Sequence, residues 1–177
     1  MFNWLSQMMI VTSMVVPYAT STSAQFEALP IKPSQDQIKC RNTSWEQENL
    51  TTIASAQIEK KLAPYIEKLI ADARLSGNNF VVNSGYRTCE LQASLRVSSC
   101  GGSDNYNKNL KPAELCSPPT EPAGRSLHND GLAVDFACQG YGLLQYSPCY
   151  SWLQKNAYKY QLINRPGEPW HWSTTGR

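Results

Sequence analysis

Six cysteines, at positions 40, 89, 100, 116, 138 and 149, constrain this chain more than any other feature. Their number is even and none forms a C-x-x-C pair, which argues against a zinc ribbon or a thioredoxin-like site and for a disulfide framework. Such frameworks persist in oxidising compartments, so the protein is expected to be exported, to a periplasm, cell envelope or extracellular space. Connectivity is left open by the sequence. Local closure would pair Cys100 with Cys116 and Cys138 with Cys149, leaving Cys40 with Cys89. The amino terminus agrees with export. Residues 1–24 carry no charged side chain and hold an apolar run from Met8 to Val16, followed by the small residues Thr20 to Ala24. This pattern predicts a signal peptide over 1–24, cut after Ala24. No lysine or arginine precedes the apolar run, so removal and anchoring both stay open. The run is too short to cross a bilayer comfortably, and no stable membrane span is expected after its removal.

A length of 177 residues suits one domain, and a hydrophobic fraction of 41% is enough for a compact core. The formal charge of +2, with no lysine or arginine cluster, excludes a nucleic-acid partner. Residues 25–45 are polar with two prolines and read as a lead-in segment; residues 46–177 form the domain, expected to act as a monomer. The five tryptophans and nine tyrosines suit a groove for a sugar-bearing or peptide ligand.

From about Trp45 to Leu75 the pattern is helical. Leu62, Tyr65, Ile66, Leu69, Ile70 and Ala73 recur at spacings of three and four, Pro64 starts a second helix, and Gly77 stops it. Phe80-Val81-Val82 predicts a buried strand, and a short helix is expected from a cap at Thr88. Residues 99–125, rich in Gly, Ser, Asn and Pro, form a long loop. Leu132 to Ala137 is a second strand, Tyr150 to Tyr160 a helix, and Gln161–Asn164 with Trp170–Trp172 a hairpin around Arg165-Pro166-Gly167. The class is α+β: a small antiparallel sheet with flanking helices.

The chain has only two histidines, His128 and His171. His128 lies in Ser126-Leu127-His128-Asn129-Asp130-Gly131-Leu132-Ala133-Val134-Asp135, and His171 in Glu168-Pro169-Trp170-His171-Trp172. A catalytic zinc takes three protein ligands, commonly imidazole and carboxylate, and His128, Asp135 and His171 supply that set for one ion. Gly131 lets the backbone reverse between a turn bearing His128 and a strand bearing Asp135. Strand alternation puts Ala133 and Asp135 on the metal side and Val134 and Phe136 in the core. Trp170 and Trp172, out of phase with His171, pack elsewhere or line the rim. Glu168, three residues before His171, is placed to act as a general base.

Ser84-Gly85-Tyr86-Arg87-Thr88 with Gln92, then Ser126-x-His128 with Gly131 and Asp135, then Glu168-Pro169-Trp170-His171, together resemble the D-alanyl-D-alanine carboxypeptidases of the VanY type. These are zinc peptidases related to D-Ala-D-Ala dipeptidases and the hedgehog domain, and the match runs from about residue 62 to 173. The resemblance implies that fold, zinc as cofactor with His128, Asp135 and His171 as ligands, and Glu168 as catalytic base. It implies Arg87 as the group that binds the scissile carbonyl and stabilises the oxyanion, with Ser126, Gln92 and Tyr86 near the substrate. The implied partner is the peptidoglycan stem peptide, and the implied reaction removes a C-terminal D-alanine. A peptidoglycan endopeptidase and an inactive, zinc-stabilised cell-wall-binding module are the alternatives. Two departures bear on substrate preference: the cysteine-bearing loop over 99–125, and the five residues that alone follow Trp172, too few for a C-terminal closing element.

Overall fold

The structure, a computed structural model, describes residues 40–41 and 43–177. The expected signal peptide and most of the lead-in lie outside the described residues. Helix α1 (Thr43–Asn49) runs directly into a hairpin, β1 (Leu50–Ile53) and β2 (Ala56–Glu59), paired from Leu50↔Glu59 to Ile53↔Ala56. This corrects the helical reading of the segment before Pro64, from about Trp45. Apolar Leu50, Ile53 and Ile58 mimic helical spacing, but they are the inward positions of two short strands, and Ala54 turns the chain with φ of 55°.

Helix α2 (Ala63–Leu75) begins with Pro64 in its first turn and gives way to Gly77 at φ of 78°. Tyr65, Ile66, Leu69 and Ala73 form its buried stripe. Helix α3 (Cys89–Cys100) is capped by Thr88, whose Oγ1 accepts from the Leu91 amide at 3.2 Å. Helix α4 (Pro148–Asn156) is capped in the same manner by Ser147 and tightens into a 3-10 turn over Ala157–Tyr160. Side-chain caps of this kind satisfy amides that the helix leaves unpaired, each contributing roughly 1 kcal/mol.

The main sheet is antiparallel: β3 (Phe80–Ser84), β4 (Ala133–Cys138), β7 (His171–Ser173) and β6 (Ile163–Asn164) in that spatial order, with β5 (Tyr141–Gly142) folded back on β4. Alternation divides its two faces. Phe80, Val82, Val134, Phe136 and Trp172 point into a core filled by α2 and by Leu153 and Ala157, while Asp135 and His171 face the other way. Leu69 is fully buried here. Truncation to alanine would cost about 2–5 kcal/mol, from lost transfer free energy plus the cavity left behind.

The six cysteines pair as Cys40–Cys89, Cys100–Cys116 and Cys138–Cys149. Residues 99–125 are more ordered than a loop reading suggests, with a π-helical turn at Tyr106–Leu110 and a 3-10 turn at Ala113–Leu115. Their organiser is Arg96, only 1% exposed. Its Nε donates to the Asn107 carbonyl at 2.9 Å, and its two terminal nitrogens donate to the carbonyls of Thr120 and Lys111. With no carboxylate in ion-pair contact among the described residues, this buried guanidinium is tolerable because these oxygens replace its hydration.

Candidate metal centre

Sheet register brings the site together. Ser84 on β3 lies opposite Asp135 on β4, and Asp135 lies opposite His171 on β7, so one row across three strands carries all three residues. His128 arrives from outside the sheet, on a 3-10 turn over Leu127–Asp130. Ser126 caps that turn, its Oγ accepting from the His128 amide at 3.3 Å, and Gly131 ends it at φ of 64°, a conformation glycine adopts without strain.

His128 Nε2, His171 Nδ1 and Asp135 Oδ1 form a triangle with edges of 3.2, 3.3 and 3.0 Å. All three residues are buried. The outer nitrogen of each imidazole is anchored to main chain: His128 Nδ1 lies 2.6 Å from the Gly85 carbonyl oxygen, and His171 Nε2 lies 2.8 Å from the main-chain oxygen of Arg177. A main-chain oxygen only accepts, so those outer nitrogens carry the protons and the inner ones present lone pairs. Burial pushes the His128 pKa down against the opposing pull of Asp135, which keeps that ring neutral. Burial alone would raise Asp135, yet the two imidazoles beside it and the Arg87 charge outweigh that penalty and hold the carboxyl well below the usual carboxylate range.

Three acceptors facing one another at this distance repel unless a cation lies among them. Ligand atoms about 2.1 Å from a tetrahedral zinc would lie about 3.4 Å apart, close to the observed edges. Histidines whose outer N–H is held by main-chain oxygen are also the usual supporting arrangement of a metal site. The donor set therefore fits a zinc ion.

Arg87 donates through Nη2 to the outer oxygen of Asp135 and through Nε to Ser84 Oγ at 3.0 Å. Among the described residues nothing engages its Nη1, and the side chain lines the cleft. Glu168 is 5% exposed beside the same cleft. Arg165 Nε lies 2.7 Å from Glu168 Oε1, but its N–H is not aimed at that oxygen, which accepts no hydrogen bond among the described residues. Burial raises the Glu168 pKa, with Arg165 and His171 opposing.

The cleft has a volume of about 510 Å³ and is lined by all three donor residues, Arg87, Glu168, Ser126 and Gln92. Gln92 is buried and donates through Nε2 to the Glu121 carbonyl at 2.8 Å. Tyr86 is not brought to the cleft. Its hydroxyl donates to Glu46 at 2.6 Å and its ring lies 6.2 Å from that of Trp45, so it ties α1 to the turn after β3. Trp172 packs in the core, and Trp170 lines the cleft. Asp130 faces away from the donors toward Arg41 at 2.8 Å. Asn129 had drawn no role from the sequence. Its amide donates to the Arg87 carbonyl at 2.8 Å and accepts from the Gly124 amide at 3.0 Å, coupling the arginine segment to the cleft wall. Its place between His128 and Asp130 was the only available signal.

A family model for D-alanyl-D-alanine carboxypeptidases, VanY, matches residues 55–177. A D-alanyl-D-alanine carboxypeptidase of Enterococcus faecalis is 30% identical over 133 residues, 68% of this chain and 49% of its own length. The chain thus spans about half the length of that curated relative. Among solved structures, a vancomycin-resistance D,D-pentapeptidase VanY from a VanB-type cassette, in complex with Zn(II), superposes with a TM-score of 0.57 at 26% identity, over 78% of this chain and 80% of that one. VanYB in complex with D-alanine-D-alanine gives a TM-score of 0.56 at 27% identity, over 70% and 75% of the two chains.

Proposed function

This chain belongs to the VanY family of D-alanyl-D-alanine carboxypeptidases, and from that membership we propose that it is a zinc-dependent peptidase that removes a C-terminal D-alanine from peptidoglycan stem peptides. The observation that carries the reading is the triangle of inward-facing acceptors from His128, Asp135 and His171 beside a buried carboxylate in one cleft. His128, Asp135 and His171 would hold the ion. When bound, zinc supplies a Lewis acid that acidifies water and polarises a carbonyl.

The remaining steps belong to the protein. Glu168 takes a proton from the attacking water and returns it to the departing amine. Desolvation suits it, because a raised carboxyl pKa lies closer to the pH at which both transfers are needed. Arg165 keeps that carboxylate near the cleft without using up its lone pairs. Arg87 steadies Asp135 through Nη2 and offers Nη1 to the oxygen on which negative charge develops. Ser126 and Gln92 line the cleft where the substrate lies. Three disulfides, and no helix among the described residues long and apolar enough to cross a membrane, are compatible with the exported location we assign.

Glu168→Gln tests the assignment. Zinc content by elemental analysis stays at one ion per chain, while release of D-alanine from a muramyl pentapeptide falls by about 10²–10⁴-fold, the range for a lost general base. Undiminished release would remove Glu168 from the mechanism, and mass analysis of the products separates terminal trimming from cleavage within the stem.

A further inference from the structure

The cleft does not end at the charged residues that line it. Gly142, Leu143 and Leu144 form part of its wall and also part of the wall of a second recess of about 260 Å³, so the two spaces adjoin across this segment. The recess is completed by Gln139, Tyr141, Ser147, Pro148 and the Cys138–Cys149 pair. Its surroundings expose an unusual amount of apolar surface for so small a segment: Tyr141 is 79% accessible, Leu144 71% and Tyr146 84%. Isolated apolar side chains on a surface need no explanation, but several together beside a binding cleft mark a contact surface.

The segment holds these side chains on a fixed backbone. A two-residue turn, Gln139 at φ of 54° and Gly140 at φ of 81°, folds β5 onto β4, with Tyr141 opposite Cys138 and Gly142 opposite Ala137. Both turn residues in the left-handed region are the signature of the tight hairpin whose twist matches its strands. A disulfide from Cys138 to Cys149 then closes the excursion. Pre-ordered tyrosines provide contact area at small entropic cost.

Charge separates the two spaces. The main cleft carries Arg87, Arg125, Arg165, Glu121 and Glu168, whereas no charged side chain occurs anywhere in residues 138–149. A surface of aromatic faces, amides and hydroxyls without charge complements a neutral ring with hydrogen-bonding edges and an apolar C–H face. Resting on the proposed function, we infer that the recess at Tyr141 and Leu144 is a sugar subsite, which takes a pyranose ring of the glycan strand while the stem peptide lies in the charged cleft.

The probe is a peptide-free N-acetylglucosamine–N-acetylmuramic acid oligosaccharide, titrated into the full chain and followed by NMR and calorimetry. Saturable binding is expected, with resonance shifts at Tyr141 and its neighbours. Affinity should be weakened at least fivefold by Tyr141→Ala and largely retained by Tyr141→Phe, which keeps the ring. In parallel, the ratio of kcat/KM for disaccharide-linked over free pentapeptide should fall about fivefold to tenfold in Tyr141→Ala. The inference is overturned if the oligosaccharide does not bind, if Tyr141→Ala binds it as tightly as the parent, or if shifts at Tyr141 are produced by free pentapeptide alone. The binding measurement requires no turnover. A chain that binds the sugar but releases no D-alanine would refute the peptidase reading alone, and one that releases D-alanine without binding the sugar would refute only the subsite.

Discussion

Two places among the described residues aim several acceptors at a single point. Behind α3, the carbonyls of Asn107, Lys111 and Thr120 converge on Arg96. At the sheet, His128, Asp135 and His171 converge on one another. The first set is neutralised by a guanidinium covalently part of the chain, so every one of its positions is satisfied and its work is to shape a loop. The second set comprises two imidazoles and a carboxylate whose inner atoms face one another, their outer nitrogens held by main-chain oxygens, and it suits an exchangeable ion. A built-in cation completes a structure. One taken from solution can keep a position free for substrate, which is why only the second arrangement is suited to chemistry.

The largest effects should come from breaking the second set. Asp135→Ala is expected to abolish stoichiometric zinc and lower D-alanine release by at least three orders of magnitude, read by elemental analysis and a coupled D-alanine assay. It removes one ligand and the anion that Arg87 holds. A variant that kept both would end the analogy between the two sets. Removing zinc with a chelator should lower the melting temperature, and returning zinc should raise it again by an amount that grows with the logarithm of free zinc. Arg96 should be indifferent to that treatment.

Arg96→Met tests the other side. One buried and two part-buried carbonyls lose their donor, and leaving such groups unsatisfied should cost about 3–5 kcal/mol in a denaturant titration, while zinc stays bound. Loss of zinc together with stability would show that the two regions are not independent.

A smaller effect is expected where support is indirect. Any side chain at position 85 would collide with the Gln57 main-chain oxygen and lie 2.6 Å from Ile58 Cδ1. Gly85→Ala should push its segment off β2 and shift the carbonyl that orients His128, weakening zinc affinity by about 10–100-fold in a competition titration.

The smallest effect should come from a pair at the edge of the core, outside both sets, in which Tyr160 is buried and Asp72 half-exposed. Tyr160 donates to Asp72 at 2.6 Å, and that hydrogen bond, with help from Lys68, holds the Asp72 carboxyl below its ordinary range. A lowered folded value means the contribution is complete above the unfolded pKa of about 3.9 and is lost as pH falls toward the folded one. Asp72→Asn should flatten the acid limb of the stability profile and cost no more than about 1 kcal/mol near neutrality, since solvent screens the half-exposed carboxylate.

How much of this was legible in the sequence depended on how locally each feature is encoded. The stripe on α2 and the alternation around Asp135 are periodic signals within one element, and they predict what forms. The donor set was readable because both histidines of the chain fall in motif-dense segments. The β1–β2 hairpin was not, since its turn at Ala54-Ser55 contains none of the Gly, Asn or Asp that such turns favour, and strands of four residues are too short to show a period. Arg96 reads as one more cation on a helix, because its acceptors lie 11 to 24 residues further along an irregular segment. Tyr86 sits inside a motif that points to substrate, but its hydroxyl is directed by Glu46, 40 residues away and beyond the motif's reach.

The row formed by Ser84, Asp135 and His171 across β3, β4 and β7 works as a gauge block. The gap between neighbouring strands is metered by main-chain hydrogen bonds at about 4.8 Å and does not depend on which side chains the strands carry. Repacking beneath the sheet would therefore translate Asp135 and His171 together and preserve their spacing. His128, mounted on a separate turn, is the adjustable jaw of the vice, and mutational drift should change the grip of the site there first.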